Sequence, residues 1–394
     1  MREAVIVEGV RTAVGKAKKG TTRSVRSDEL MATVIRELMS RTEGALAPED
    51  VEDVIIGCAM PEGSQGLNIS RVVALRAGLP TDVPGQTVNR FCSSGLQTIA
   101  SAAYRIMAGD ADVIIAGGME TMSLVPMSGY RISPNPYMAE HDPNVYMGMG
   151  LTAEHVADEF DVTRDDMDTF AAQSHMKAIA AWEEDRFAGQ IVPYEVEEVG
   201  FDEYGEEYRK TMILDRDEHM RAGTTPEGLG KLRPVFRPNG RVTAGNSSPL
   251  SDGAAGVIIM SREKAEALGL TPRLKFRNFS VAGVRPEIMG VGPIRSIPKV
   301  MEKAGMSTDD LDIIELNEAF ASQAVAVIRE TGLNNEVVNV NGGAIALGHP
   351  LGCTGAKLTV QMMYEMERSD LNTGMVTMCI GGGMGASGVF ERVN

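Results

Sequence analysis

Residues 88–97 read Val-Asn-Arg-Phe-Cys-Ser-Ser-Gly-Leu-Gln, and the pattern of apolar residues changes within this stretch. From here apolar residues recur at the spacing of one helical face, which predicts a helix that ends near Gly109. Cys92 therefore lies where a strand turns into a helix N-terminus. Orphan N–H groups and the helix dipole at that position favour a thiolate over a thiol. The alternative is a small buried side chain without chemistry.

Short, continuously apolar strands alternate with helices around this stretch. The pattern predicts strands at 4–7, 54–58 and 111–118, and helices at 27–39 and 68–77. Strands of this kind are buried on both faces, and helices between them provide the cover. The alternation therefore indicates an α/β protein with a parallel or mixed sheet.

The second part of the chain repeats this order of elements. Residues 307–314 match residues 48–55, and the strand with its glycines at 375–383 matches the strand and diglycine at 112–118. Because the matching segments keep their order, the sequence predicts an internal duplication, with two similar α/β halves.

The segment 122–247 differs in character and interrupts the first half. It contains an amphipathic helix at 161–187 and a strongly acidic stretch at 195–218, and basic residues then gather at 221–241. In a chain of net charge −16, these basic residues need a reason. They indicate either a ligand that carries phosphate groups or a solvated loop that offsets the acids.

Composition excludes several classes of function. The chain has 394 residues, of which 43% are hydrophobic and 23% charged, as in ordinary globular proteins. The net charge of −16 argues against nucleic-acid or anionic-membrane partners. We expect no membrane span, because no apolar run reaches about 18 residues, and no secretory signal, because residues 4–7 already form a strand.

The cysteines and histidines do not form a metal site in the sequence. Cys58, Cys92, Cys353 and Cys379 include no C-x-x-C pair, and the five histidines lack zinc-ligand spacing. Free thiols are typical of a reducing compartment, so we expect a cytoplasmic protein without a metal. Cys58 and Cys353 have no neighbours that indicate reactivity, and we interpret them as structural.

Two further residues are candidates for catalysis. His349 lies in residues 342–355, where five of fourteen residues are Gly, between a predicted strand at 338–340 and a predicted helix from about Cys353 to Met366. So much glycine lets the backbone approach a ligand closely, and a His there is a candidate base. Cys379 follows an apolar strand and precedes a glycine run, so its N–H-rich surroundings resemble those of Cys92. A structural histidine and a buried strand cysteine are the alternatives.

Two other segments have alternative interpretations. Asn317 follows a predicted strand and could orient a water or act as an oxyanion donor, or it could cap the next helix. The Met-rich residues 127–149 could line a pocket for a flexible apolar chain or fill a core. Residues 383–388 fit G-x-G-x-x-G, but that fingerprint requires a following helix and an acid about 20 positions on, which the sequence does not indicate.

Together these motifs resemble those of the thiolases, over essentially the whole chain. The resemblance rests on the segment around Cys92, on Asn317-Glu318-Ala319-Phe320, on Gly348-His349-Pro350 and on residues 379–385. It implies the thiolase fold, two duplicated α/β halves in a five-layer αβαβα arrangement with an inserted loop domain. The implied division is an N-terminal half of 1–121 plus 248–268, a loop domain of 122–247 for CoA and acyl binding, and a C-terminal half of 269–394.

The resemblance also implies roles for individual residues. Cys92 would accept the acyl group, His349 would activate it, and Cys379 would serve as the acid/base for the acetyl-CoA α-carbon and the incoming CoA thiol. One oxyanion hole would combine His349 with a water held by Asn317. The other would use the N–H groups of Cys92 and Gly381.

Binding residues follow from the same resemblance. Arg221 and Ser248 fall where the family's loop contacts coenzyme A, and Met149 falls at the acyl pocket. CoA would be a co-substrate, and no cofactor would be bound permanently. The family forms dimers or tetramers, so we expect a homodimer or homotetramer, and some degradative members work beside a hydratase/dehydrogenase subunit.

The motif variants favour the degradative 3-ketoacyl-CoA thiolases of fatty-acid β-oxidation. Residues 90–97 resemble that branch, whereas acetoacetyl-CoA-forming thiolases usually carry Cys-Gly-Ser-Gly-Leu-Lys at the nucleophile. Gly148 stands before Met149 where those enzymes usually have a His. A biosynthetic acetoacetyl-CoA thiolase is the first alternative, and a non-catalytic acyl-CoA or lipid-binding protein of the same fold is the second.

Overall fold

The computed structural model describes residues 2–393. Its strands are β1 Ala4–Arg11, β2 Gly15–Lys16, β3 Asp53–Gly57, β4 Gly85–Val88, β5 Val113–Thr121, β6 Tyr194–Phe201, β7 Glu207–Leu214, β8 Ser251–Ser261, β9 Leu274–Gly283, β10 Ile313–Leu316, β11 Thr373–Ile380 and β12 Met384–Arg392. Its α-helices are α1 Ser27–Arg41, α2 Ile69–Ala77, α3 Ser94–Ala108, α4 Pro136–His141, α5 Met149–Glu159, α6 Arg164–Glu183, α7 Pro226–Gly230, α8 Arg262–Leu268, α9 Gly292–Ala304, α10 Ala321–Thr331, α11 Ala344–Leu347 and α12 Leu351–Arg368.

Every strand except β6 and β7 belongs to one ten-stranded sheet with two similar parts. The first part has the order β4-β3-β5-β8-β1, with the short β2 paired to β8 as well, and the second has the order β9-β12-β11-β10. The parts join where β1 pairs with β9 over two residue pairs, Val5 with Lys275 and Ile6 with Leu274. The junction between the parts is therefore short, and most of the contact between them comes from helices.

The two parts repeat one topology, which confirms the predicted duplication. In the first part β3 runs parallel to β5 and to β4, and β5 is antiparallel to β8. In the second part β10 runs parallel to β11, which is antiparallel to β12. A single parallel bridge from Ile314 to Val338 stands where β4 stands in the first part.

Alternating side chains divide the molecule into five layers. Ile6 and Ile55 face a central core that also contains Leu96 of α3 and Leu358 of α12. The neighbouring residue Val5 points to the opposite face, where α1 and α2 cover the sheet. The second part of the sheet packs on the same central core and is covered outside by α9 and α10. Side chains that alternate along a strand produce this double cover.

The central helices α3 and α12 cross at two glycines. A Cβ atom on Gly355 would lie 2.2 Å from the backbone nitrogen of Leu96, and a Cβ on Gly95 would lie 2.8 Å from the nitrogen of Ala356. Only glycine permits backbones to approach this closely. The crossing brings the N-terminal ends of α3 and α12 together, and these helices begin two residues after Cys92 and His349.

Three parts of the structure differ from the sequence-based prediction. Residues 338–340 do not form a strand, because only Val338 makes a bridge to the sheet. The acidic stretch forms the two-stranded antiparallel sheet of β6 and β7, which the pattern had not indicated. The segment 122–150 is irregular in part but includes the short helix α4. Among residues 2–393, no helix combines the length and apolarity that crossing a membrane requires.

Candidate active site

Cys92 lies in a single 3₁₀ turn, Phe91–Ser93, between β4 and α3. Phe91 has a φ of +44°, an unusual conformation for a residue with a large side chain. The Ser94 hydroxyl donates to the Phe91 carbonyl at 2.6 Å and accepts from the Arg90 N–H at 2.9 Å. These bonds hold the strained turn, so the position of Cys92 is fixed by its own segment.

The thiol of Cys92 is buried, and burial dominates its acidity. Burial raises the pKa of Cys92 to about 12, although the N–H groups of Gly381 and of Cys92 itself act in the opposite direction. The negative charge of Glu120 raises the pKa further. The N–H groups near the helix start therefore act in the expected direction, but in the free protein burial outweighs them. Cys92 is a neutral thiol whose proton must be removed by a base.

His349 is held by three hydrogen bonds from different elements. Its ring Nδ1 lies 2.6 Å from the Thr354 hydroxyl of α12, and its Nε2 lies 3.4 Å from the amide nitrogen of Asn317. Its backbone N–H donates to the Ser251 hydroxyl at 3.0 Å. Because an amide nitrogen can only donate, Nε2 is the acceptor and Nδ1 carries the proton toward Thr354. The lone pair of the imidazole is thus on Nε2, where it accepts from the Asn317 amide.

The imidazole of His349 is uncharged. Burial lowers its pKa to about 3, and the positive charge of Lys357 lowers it further. A neutral imidazole with an unprotonated Nε2 can accept a proton, as a general base must.

Asn317 is fully buried at the end of β10. The following helix α10 begins only at Ala321, so Asn317 does not cap it. The side-chain oxygen of Asn317 is buried without a partner among the described residues. Its neighbour Glu318 accepts from Ser174 at 2.6 Å and from the Asn339 amide at 2.9 Å. Asn317 thus points a polar group at His349 while Glu318 anchors the loop.

Cys379, near the end of β11, faces Cys92. Its thiol is buried with Met289 and Ala319, and burial raises the pKa of Cys379 well above its ordinary value, with a further rise whenever the neighbouring Cys92 is ionised. Gly381 follows β11, and its N–H points at the Cys92 sulfur. The structure therefore brings Cys92, Cys379 and Gly381 together, and it brings His349 and Asn317 together.

Sequence reasoning missed Glu120, a buried carboxylate that supports the site. Glu120 accepts from the N–H groups of Ala59 at 2.8 Å and Gly352 at 2.9 Å, and the Gln65 amide also donates to it. It thereby ties the end of β5 to the start of α12, next to His349. Burial raises the pKa of Glu120. An acid at the end of an apolar strand was the available signal.

A cavity of about 600 Å³ opens at His349. Its walls are mostly apolar, and they include both Met149 and Met127 of the Met-rich stretch. The lining residues are Met127, Gly148, Met149, Gly150, Leu151, Val235, Phe236, Ser247, Ser248, Pro249, Leu250, Ala319, Phe320, His349 and Leu351. Ser248 donates from its hydroxyl to the Ala319 carbonyl at 2.9 Å. A space of this kind suits a flexible apolar ligand with few polar groups.

Arg221 lines a second, smaller cavity of about 150 Å³ together with His175, His219 and Lys16. Its backbone N–H donates to His175 Nδ1 at 3.3 Å, and its side chain is exposed. No ion pair involves Arg221 within residues 2–393.

Arg237 and Arg241 behave differently from Arg221. Both pair with Asp158 of α5, and Arg237 also approaches Glu154. These two basic residues are therefore neutralised, but by α5 and not by the acidic stretch. Across residues 2–393, no group of three or more His, Cys, Asp or Glu side chains is placed to hold a metal ion.

Two family models match this chain. The thiolase N-terminal domain matches residues 4–263, and the thiolase C-terminal domain matches residues 270–392. The chain belongs to the thiolase family. This thiolase is 54% identical to the 3-ketoacyl-CoA thiolase of Bacillus subtilis (strain 168), over 99% of this chain and 100% of that protein.

Other relatives agree on the family. This thiolase is 46% identical to the 3-ketoacyl-CoA thiolase of Idiomarina loihiensis, with both chains covered completely. The crystal structure of the Bacillus anthracis acetyl-CoA acetyltransferase superposes on this thiolase with a TM-score of 0.89 at 40% sequence identity. The superposition covers 100% of this thiolase and 99% of the acetyltransferase chain. The fold expected from the motifs is thus confirmed at full length.

Proposed function

We propose that this thiolase cleaves 3-ketoacyl-CoA with CoA, giving acetyl-CoA and a shortened acyl-CoA. The observation that carries the proposal is the pair of facing thiols, Cys92 and Cys379, in a protein whose neutral His349 lines an apolar cavity. Two thiols and one base are what a thiolysis through an acyl-cysteine needs. Relatives at 54% and 46% identity carry the name 3-ketoacyl-CoA thiolase, which supports the same reaction.

The first half of the proposed reaction forms the acyl-cysteine. His349 Nε2 takes the proton of Cys92, and the sulfur attacks the 3-keto carbon. The bond between C2 and C3 then breaks, and its electron pair stays on C2 of the departing acetyl-CoA. Cys379 gives its proton to C2. At this stage His349 is protonated and Cys379 is a thiolate, so the site as a whole stays neutral.

The second half transfers the acyl group to CoA. The Cys379 thiolate takes the proton of the CoA thiol, and the CoA sulfur attacks the acyl carbon. Cys92 leaves as a thiolate and recovers its proton from His349. Every proton is returned, and no metal or permanent cofactor enters the cycle.

Charge that develops on oxygen needs oriented donors. We propose that the N–H groups of Cys92 and Gly381 stabilise the oxyanion of the tetrahedral intermediates at Cys92. His349 and a water on Asn317 would stabilise the enolate oxygen of acetyl-CoA. The proposal is supported by the N–H groups aimed at the Cys92 sulfur and by the unpartnered amide oxygen of Asn317.

For binding, we propose that the acyl and pantetheine parts occupy the apolar cavity, with Met149 at the acyl end and Ser248 beside the pantetheine. Arg221 would meet a phosphate of CoA, because it is an exposed cation without an ion pair in the described chain. We also propose the division into a half formed by 1–121 and 248–268, a loop domain of 122–247 and a half formed by 269–394.

Assembly is the remaining part of the proposal. We propose a homodimer or homotetramer in the cytoplasm, with copies pairing along β4. This strand is an edge of the sheet, and the nearby Leu67 is 93% exposed, as expected for a surface that a second copy covers. A hydratase/dehydrogenase partner would be the source of the 3-ketoacyl-CoA in β-oxidation.

The test is the rate of thiolysis of 3-ketoacyl-CoAs from C4 to C16, measured beside the condensation of acetyl-CoA. We expect thiolysis across several chain lengths, and a Cys92→Ser variant that lacks it. Activity confined to C4 or to condensation would favour a biosynthetic acetoacetyl-CoA thiolase. The similarity to an acetyl-CoA acetyltransferase supports that alternative. Binding of acyl-CoA without turnover would support the alternative of a non-catalytic acyl-CoA-binding protein.

A further inference from the structure

His219 is a buried histidine for which the proposed reaction has no use. It is 5% exposed and lies two residues before Arg221 in the chain. Burial lowers the pKa of His219 to about 4, against the opposing effects of the Gly15 backbone and of Asp217. The imidazole is therefore neutral at physiological pH. A buried polar ring normally has hydrogen-bond partners, and these identify what His219 holds.

One partner is the Gly15 backbone, and the other is Ser251, at the start of β8. His219 Nε2 lies 3.1 Å from the Ser251 hydroxyl, and the same hydroxyl accepts the backbone N–H of His349 at 3.0 Å. One side-chain oxygen thus connects the segment of Arg221 to the residue that carries the proposed base. The Pro249 carbonyl lies 2.8 Å from this hydroxyl as well, so Ser251 is held from three directions.

Packing reinforces this connection. Gly348 has a φ of +92°, and a Cβ atom there would lie 2.7 Å from both the His219 ring and the Ser251 hydroxyl. The turn that precedes His349 is therefore pressed against His219. A shift of His219 would therefore displace His349, both through the hydrogen bond of Ser251 and through the contact with Gly348.

We propose that His219 is a positioning residue, which through Ser251 fixes His349 relative to Cys92 and couples this geometry to the segment that bears Arg221. The inference rests on the proposed function in so far as Arg221 meets CoA. A displacement of about 1 Å in a reacting group can cost about 100-fold in rate, so such a support affects catalysis without touching substrate. Binding of CoA at Arg221 would then also hold His349 in position.

The experiment compares three substitutions of His219 with a control. His219→Leu removes the contact with Ser251. His219→Gln keeps a polar atom at the position of Nε2, whereas His219→Asn is too short to reach Ser251. His155→Leu is the matched control, because His155 is exposed on α5. Each variant is assayed for kcat and KM with acetoacetyl-CoA and CoA, for alkylation of Cys92 by iodoacetamide at pH 7, and for urea unfolding.

We expect His219→Leu and His219→Asn to lower kcat and the alkylation rate about tenfold or more, at temperatures where both are folded. His219→Gln should recover most of both rates, and His155→Leu should match the wild type. If His219→Leu does not fold, the Asn and Gln variants carry the comparison. Equal kcat and alkylation rates in the Asn, Gln and wild-type proteins would overturn the inference, even where unfolding shifts.

The two readouts separate this inference from the proposed function. Alkylation of Cys92 depends on His349 but needs no acyl-CoA. A wild type without thiolysis at any chain length, whose alkylation is still slowed by His219→Leu, would refute the function and support the positioning role. Normal thiolysis in all variants would support the function and refute the positioning role.

Discussion

Cys92, His349 and Cys379 are all uncharged before substrate arrives, and this state is set by burial. The pKa of Cys92 is raised to about 12 and that of His349 is lowered to about 3, so transfer of a proton between them in the free protein is unfavourable. Charges must therefore form during the reaction, when the substrate oxygen takes up the negative charge. At the scale of single residues, activation depends on the base and not on a preformed thiolate.

The pH dependence of alkylation tests this conclusion. In the wild type, His349 removes the proton as the Cys92 sulfur attacks, so iodoacetamide should react at a nearly constant rate between pH 6 and 9. In His349→Asn the thiol must ionise alone. Its rate should be far lower at pH 7 and should rise about tenfold per pH unit, because the pKa of Cys92 lies above this range. The exposed His155, replaced by Asn, is the control. A flat profile in His349→Asn would show a thiol that is already ionised over this pH range and would contradict the prediction.

Cys379 is tested by its proposed acid/base role. We expect Cys379→Ala to slow the exchange of acetyl-CoA α-protons in heavy water by about 100-fold or more, because the acid/base is gone. Alkylation of Cys92 should not slow, since the proposed base for its proton is His349 and not Cys379. Mass spectrometry of acetyl-CoA measures the exchange. Cys353→Ala removes a buried thiol of α12 and should retain the exchange. Exchange at the wild-type rate in Cys379→Ala would contradict the role.

At the scale of elements, the crossing of α3 and α12 decides where the chemistry can occur. Each helix begins two residues after its reactive residue, and the close contacts of Gly355 with Leu96 and of Gly95 with Ala356 set how closely the two beginnings approach. Glu120 then binds the start of α12 to the end of β5. The site is therefore a product of packing between the two halves, because neither half contains both Cys92 and His349.

Gly355→Ala tests the crossing. Its Cβ would lie 2.2 Å from the Leu96 nitrogen, so the helices must separate. We expect a loss of about 1–3 kcal/mol in the free energy of unfolding, together with a lower kcat. Gly230→Ala is the matched control, because a Cβ there meets no atom within 4 Å. Urea unfolding and thiolysis are the measurements. Unchanged kcat and stability in Gly355→Ala would show that the helix crossing accommodates an additional methyl group and does not depend on glycine.

At the scale of the whole molecule, the sequence predicted the duplication because both halves need the same apolar strands. It also predicted the helices that follow Cys92 and His349. It did not predict the sheet of β6 and β7, where acids alternate with apolar residues and hide the strand pattern. It also failed for the acidity of Cys92, since burial depends on residues far away in the chain. Thr354, Ser251 and Glu120 were missed for the same reason.

Assembly is the prediction at this scale. Leu67 is almost fully exposed, so Leu67→Asp should cost little stability in the single chain but should weaken a dimer that pairs along β4. Light scattering coupled to gel filtration measures the mass. Phe201→Asp is the control, because Phe201 is 72% exposed on the separate two-stranded sheet. Equal masses for Leu67→Asp and the wild type would place the interface elsewhere.

Because of the glycine crossing, the activity of the site depends on how closely the two halves pack together. A small separation of α3 from α12 would part Cys92 from His349 while every helix and strand remains formed. We therefore expect turnover to be lost at a lower urea concentration than the helical circular dichroism signal. Bound CoA should bring the midpoint of the activity curve closer to the midpoint of the circular dichroism curve. Inactivation would then report loosening of the molecule well before it unfolds.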